Sequence, residues 1–286
     1  MLQEVRELWK YRELLFTIVE RELRIRYKNS ALGFLWSLII PITTTAVLTF
    51  VFGYLANTGG YRSFSAYILA AYLPFLFFQQ SVLDSAQSIL IQLPLLRKIY
   101  FPREVLVLGT VIANFIHLLL GWVVFFGFLG VVFAMNPSQN PFQSSTWQLP
   151  LLMIVSLFFA TGFGLLVAAL NTFYEDIKYL TNVGMYLLFF LSPITYTSEV
   201  VGYSKLNQES GGLLYKLYHL NPIAALSTGY RQALLAPQQI LVDGKRQAPL
   251  IMGGEYLAIA AVGSVATLLI GYAVFNRLKW KFVERP

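Results

Sequence analysis

The chain has 286 residues, of which 57% are hydrophobic, 16% aromatic and only 12% charged, with a formal net charge of +7. Soluble domains average about 45–50% apolar and about 25% charged, so this composition excludes an ordinary soluble fold, a disordered chain and a collagen-like fibre and points to an integral membrane protein. Cysteine is absent, which excludes a disulfide framework, a thiolate metal site and a cysteine nucleophile.

Residues 1–31 read as an amphipathic cytoplasmic interface helix. Leu8, Tyr11, Leu15, Ile18, Val19 and Leu23 fall on one stripe at helical spacing, while Arg6, Lys10, Arg21 and Arg24 charge the other surface. Such a helix lies in the headgroup layer against anionic lipid. The pattern fits an anchor that only fixes topology and a helix that handles a lipid substrate equally well.

Six spans follow. A crossing helix takes about 20 mostly apolar residues. No Asp, Glu, Lys or Arg occurs between Lys28 and Arg62, or between Arg62 and Asp84, which places spans at about 32–55 and 64–83. The charge-free stretch from Val105 to Tyr174 is too long for one helix, and the polar, proline-bearing run Asn136 to Pro150 divides it into spans at 105–133 and 151–173. Two more run at 179–197 and 256–275, so residues 32–275 form an all-α, six-helix transmembrane domain.

Six crossings put both termini on one side. The termini and the loops on their side carry 15 Lys and Arg against 6 on the other, so the positive-inside rule places both ends in the cytoplasm. The +7 charge therefore reports topology and not nucleic-acid binding. Met1 to Lys28 has mixed charge and no uninterrupted apolar core, unlike a signal peptide.

Two segments outside the spans are unusual. The cytoplasmic loop 84–104 is short and dense in cations and aromatics, and Pro102 breaks any helix through it, giving a bent element. By itself it suits an ordinary positive-inside loop or a docking surface. The external segment 198–255 is long and partly apolar: Gly211 to Tyr218 is amphipathic, and Asn221-Pro222 supplies an N-cap and first-turn proline for a helix to about Leu235. Two short apolar helices here suit either a hairpin dipping into the outer leaflet or a surface cap. Residues 276–286 form a cytoplasmic tail.

The predicted spans hold no formal charge, and their lone ionisable side chain is His117. That disfavours ion-coupled transport and makes His117 a helix–helix hydrogen-bonding group. No clustered acids or histidines suggest a catalytic metal, and Gly244-Lys245-Arg246 does not complete a phosphate-binding loop, so the chain is expected to hydrolyse no nucleotide. Among 23 Phe, 17 Tyr and 5 Trp, the inward-facing candidates for contact with sugar rings are Phe34, Trp36, Tyr186 and Tyr196.

An ordered set of motifs resembles one family. Arg12-Glu13-Leu14-Leu15, Arg21 to Ser30, and Leu32-Gly33-Phe34-Leu35-Trp36 are similar to the opening of ABC-transporter permeases that export bacterial cell-surface polysaccharides: O-antigen, capsule and teichoic acid. Tyr100-Phe101-Pro102-Arg103-Glu104 resembles their first cytoplasmic loop, and Leu191 to Tyr196, Leu220-Asn221-Pro222 and Tyr230-Arg231 their later segments. The resemblance implies a permease that forms a homodimer and pairs with two copies of a separate ABC ATPase, which binds the ATP and Mg; this chain holds no cofactor or metal and catalyses nothing.

It also implies roles. Arg97, Lys98, Tyr100, Phe101, Pro102, Arg103 and Glu104, with Glu175 and Asp176, would couple to the ATPase. Arg24, Arg26 and Lys28 would meet the phosphate of a polyprenyl-linked glycan at the cytoplasmic entrance. Short re-entrant helices between spans five and six, with Asn221, Pro222, Tyr230 and Arg231, would form an external gate. The chain departs from the family where Gln92 and Pro94 replace asparagines and where Tyr174-Glu175-Asp176 replaces a Tyr-Arg-Asp run, reversing a charge beside the ATPase. The expected function is the permease of an ATP-driven exporter of lipid-linked polysaccharide across the cytoplasmic membrane. A lipid or drug permease, or a non-transporting scaffold of a glycan-synthesis complex, remains an alternative.

Overall fold

The computed structural model describes residues 8–28, 35–55, 64–96, 98, 100–135, 143–242 and 245–282. Among them the chain is almost entirely helical. The elements are α1 (Arg12–Tyr27), α2 (Leu35–Leu48), which continues as a π-helical run over Thr49–Leu55, α3 (Phe64–Ile91), α4 (Leu93–Leu96), α5 (Glu104–Met135), a 3-10 turn (Ser144–Gln148), α6 (Leu149–Phe173) and α7 (Ile177–Leu191). Beyond these come α8 (Ser198–Gly202), α9 (Lys205–Glu209), α10 (Leu213–His219), α11 (Pro222–Leu234), strands β1 (Ile240–Val242) and β2 (Lys245–Gln247), and α12 (Gly254–Leu278) with a terminal 3-10 turn (Lys279–Lys281). The strands form a small antiparallel ribbon with Ile240 opposite Gln247.

Among the described residues, four helices are long and apolar enough to cross a membrane: Phe64–Ile91, Glu104–Ala134, Ser144–Phe173 and Gly254–Lys281. Two shorter apolar helices, Ile39–Leu55 and Ile177–Leu191, occupy the places of the first and fifth expected spans. The 15 residues of α7 extend about 22 Å, less than the roughly 30 Å of hydrocarbon.

Two boundaries differ from expectation. The second span continues to Ile91, because nothing between Asp84 and Pro94 breaks a helix; the charge at Asp84 ends the hydropathy signal and not the backbone hydrogen bonding. The loop between α3 and α5 is correspondingly shorter, and Asp84 lies inside α3. The fifth span stops at Leu191 and not 197, since Pro193 lacks a donor and pushes Ser192 into extended geometry, φ −106° and ψ 152°.

At the centre, α6 packs against α12 on one side and α3 on the other. The α6–α12 contact is backbone to backbone: a Cβ placed on Gly271 would sit 2.1 Å from the Gly162 carbonyl oxygen, and one on Gly162 2.5 Å from the Leu268 nitrogen. Small residues at such crossings let membrane helices approach without relying on a hydrophobic drive between them. Phe78 of α3 stacks on Phe159 of α6 with ring centroids 4.9 Å apart. Asn171, fully buried on α6, donates to the Ala86 carbonyl of α3 at 2.7 Å and accepts from the Lys178 amide of α7 at 2.9 Å, pinning three helices at one level.

The apolar stripe of α1 is real, but it lies against protein as well as facing outward. Ile18 and Val19 are buried, and a Cβ on Gly109 of α5 would meet Ile18 Cγ2 at 2.6 Å. Trp9, Phe16 and Ile25 are exposed, with Ile25 on the same side of the helix as buried Ile18 and Phe16 on the opposite side.

Candidate functional site

Functional side chains gather at three levels. At the end nearest α1, the loop before α5, the start of α1 and the end of α12 come together around a cavity of about 110 Å³, lined by Leu8, Tyr100, Phe101, Pro102, Arg103, Glu104, Lys279 and Trp280. Lys279 donates to Glu104 at 2.7 Å, both side chains largely buried. The Arg103 guanidinium lies 6.0 Å from the Trp280 ring centroid and 5.7 Å from that of Phe282, and partial burial lowers its pKa from the ordinary guanidinium value. Phe282 is wholly buried between Phe173 and Phe275. The expected coupling residues therefore divide: Lys98 and Tyr100 are exposed, Pro102 and Arg103 partly so, and Phe101 and Glu104 are buried and hold the loop in place. Glu175 and Asp176 are exposed between α6 and α7. Lys279, Trp280 and Phe282 were not singled out by the sequence, and no local pattern ties them to a loop 175 residues away.

Higher up, a cleft of about 440 Å³ opens between α2, α3 and α5. Its polar wall is Gln80, Asp84, Asn114 and His117, and Asn114 donates to Asp84 at 3.0 Å. Trp36 lines it from α2 and is half-exposed. Asp84 in this wall corrects the expectation that His117 is alone among span residues. Tyr186 is exposed on α7, away from this cleft. Arg24 pairs with Glu20 one turn earlier on α1, and Lys28 is exposed just beyond that helix. Phe34, Arg97 and the side chain of Arg26 lie outside the described residues.

The segment between α7 and α12 is built around Arg231. It is buried, and its guanidinium donates to the carbonyls of Tyr67 (2.9 Å), Ile194 (2.7 Å), Tyr196 (3.1 Å) and Pro193, while stacking 3.7 Å over the Tyr67 ring. The turn after α7 leaves carbonyls without helical partners, and Arg231 supplies the donors. Irregular backbone near a membrane persists where protein satisfies it in this way. Asn221 caps α11 by accepting from the Ile223 amide, with Pro222 in the first turn. Tyr230 is fully buried, shares a hydrogen bond with Ser156 of α6 and stacks on Trp122 of α5. Tyr196 hydrogen-bonds Tyr218 at 2.8 Å, fastening α10 to the same turn.

His219 completes this cap. It is fully buried, and its Nδ1 lies 3.0 Å from the Tyr215 carbonyl, which only accepts, so Nδ1 carries the proton and Nε2 faces the Thr228 hydroxyl at 3.4 Å. Burial lowers the imidazole pKa from its ordinary value and pushes the nearby Tyr215 phenol up to about 12. Among the described residues, no group of three or more His, Asp or Glu is placed to hold a metal ion.

The ABC-2 type transporter family matches the chain over residues 13–235. The chain is 30% identical over 287 residues to the O-antigen export system permease protein RfbA of Myxococcus xanthus, covering 99% of both chains. It is 26% identical over 272 residues to the RfbA protein of Klebsiella pneumoniae, covering 95% of this chain and 94% of that one.

Proposed function

Because the chain belongs to the ABC-2 type transporter family, we propose that it is the six-span permease of an ATP-driven exporter that moves lipid-linked polysaccharide, of the O-antigen or teichoic acid kind, across the bacterial cytoplasmic membrane. The observation that carries this reading is the end-to-end similarity to O-antigen export permeases, which leaves no large region unaccounted for. In this reading both termini are cytoplasmic, two copies of the chain form the path, and two copies of a separate ATPase bind ATP and Mg.

The geometry supports a mechanical role. Force applied to exposed Lys98 and Tyr100 passes through Phe101 and Glu104 to the starts of α5 and α1 and, by the Glu104–Lys279 pair, to the end of α12. The loop is thus fastened to three helices and moves them as one. At the other face, the Arg231-centred cap closes the path between strokes, and α2 and α7, with exposed apolar faces, line it or meet the second copy.

Deleting the gene in its host and staining the cell surface for glycan tests the reading. Loss of surface polysaccharide with accumulation of lipid-linked glycan inside is the expected result. Unchanged surface glycan would favour a lipid or drug permease, and a purified permease that neither binds an ABC ATPase nor alters its turnover would favour a scaffold.

A further inference from the structure

We propose that the lower end of the cleft between α2, α3 and α5 is a sugar-binding subsite, in which Trp36 stacks on a pyranose ring of the glycan while Asp84, Asn114, Gln80 and His117 bind its hydroxyls. This rests on the exporter reading given above. The cleft volume of about 440 Å³ lies within the roughly 300–1,000 Å³ of ligand sites, and its wall has their make-up, apolar surface with a few convergent polar groups.

The polar groups are not scattered. Gln80 and Asp84 are one turn apart on α3, and Asn114 and His117 are one turn apart on α5, which runs the opposite way, so all four meet near the end of the cleft closest to α1. Trp36, at the start of α2, belongs to the same end. Leu73 and Gly121 line the other end. With about 20 residues of α3 covering the hydrocarbon from Phe64, Asp84 sits at its cytoplasmic edge.

The chemistry selects the ligand. A lipid phosphate is disfavoured, because the described lining holds a carboxylate and no lysine or arginine. An acyl chain offers no group that hydrogen-bonds, so it makes no use of the four polar side chains that converge here. A metal ion lacks its ligand set among the described residues. A pyranose has both faces this end offers partners for: C–H bonds for an indole face, and adjacent hydroxyls that donate to a carboxylate and exchange hydrogen bonds with amides and imidazole. Asn114 is 2% exposed and already holds Asp84 in position at 3.0 Å, so the carboxylate is oriented before a ligand arrives.

The test uses the whole exporter in glycan-producing cells, with p-benzoylphenylalanine at Ile40 on the cleft wall. Ultraviolet irradiation is expected to give a carbohydrate-bearing adduct of the permease that vanishes in cells making no glycan. An adduct containing only phospholipid overturns the subsite. Asp84→Asn and Trp36→Leu should each lower the adduct yield and the export rate by about tenfold, the loss of one charge-assisted or stacking contact, with Trp36→Phe restoring most of both. If these variants export at the wild-type rate while gene deletion abolishes surface glycan, the subsite is wrong and the exporter reading stands. If deletion leaves surface glycan unchanged, the exporter reading itself fails.

Discussion

Lys279 donates to Glu104 at 2.7 Å, joining the end of the last helix to the start of α5 across 175 residues of sequence. Glu104 is almost fully buried and Lys279 nearly so, which makes the pair costly to break from one side only. Lys279→Met should destabilise the protein by about 3–5 kcal/mol, because it strands a buried carboxylate, whereas the double variant Glu104→Leu with Lys279→Met should lose much less. Thermal unfolding of the purified protein in detergent reads both. A loss in the double variant equal to the sum of the losses of Glu104→Leu and Lys279→Met made singly would show that the pair is not coupled.

Arg231 makes the second prediction. Its guanidinium serves four carbonyls and a ring at once, an arrangement the point charge of lysine does not reproduce. Arg231→Gln should cost about 3–5 kcal/mol and Arg231→Lys about half of that. Hydrogen exchange is the sharper probe. The amides of Ile194 to Thr197 should lose protection first, ahead of any amide in α6.

The glycine crossing gives the third. Gly271→Ala places a methyl group against the Gly162 carbonyl, with backbone on both sides and no flexible side chain to yield. Overpacking of that kind costs about 1–3 kcal/mol, and Gly271→Val should cost more. The midpoint of unfolding in mixed micelles titrated with a harsh detergent measures it. Gly127→Ala, at a position where an added Cβ meets nothing within 4 Å, is the control and should leave the midpoint in place.

The fourth concerns pH. His219 is buried in its neutral form, and that burial holds its folded pKa below the ordinary imidazole value of 6.5. The unfolded cap therefore binds a proton more readily than the folded one, so stability is complete above about pH 6.5 and is lost as pH falls through the lowered folded value. Amide protection in α10 and α11 should decline on acidification over that range. His219→Gln should flatten the pH dependence, and an unchanged profile in that variant would assign the effect elsewhere.

Some of this was legible before the structure and some was not, for reasons that differ residue by residue. Asn221-Pro222 announced the start of α11 because a cap is local chemistry, written in adjacent residues. The stripe of α1 was equally plain, yet its partner was not, since amphipathicity says that a face is apolar and not whether lipid or α5 covers it. Arg231 reads as an external-gate residue on the helix that starts at Asn221; only the fold brings Tyr67 and the broken end of α7 to it. Asp84 marked the end of a hydrophobic run and was mistaken for the end of a helix. Charge limits what hydrocarbon tolerates, while helix termini answer to proline, caps and backbone donors. The Glu104–Lys279 pair has no sequence signature at all, because nothing in either neighbourhood names the other.

The glycine crossing also has a consequence in time. A chain emerging from the ribosome places α6 in the bilayer well before α12 is made, so the groove at Gly162 stays open until α12 arrives. The same late helix brings Lys279 to Glu104 and Phe282 to its place beside Phe173. Closure of this crossing therefore waits for α12, and a chain that stalls before it presents a recognisable defect: an unfilled backbone groove in the bilayer and an unpaired buried acid at its edge. Quality control that acts on such features would remove half-made subunits before they met an ATPase.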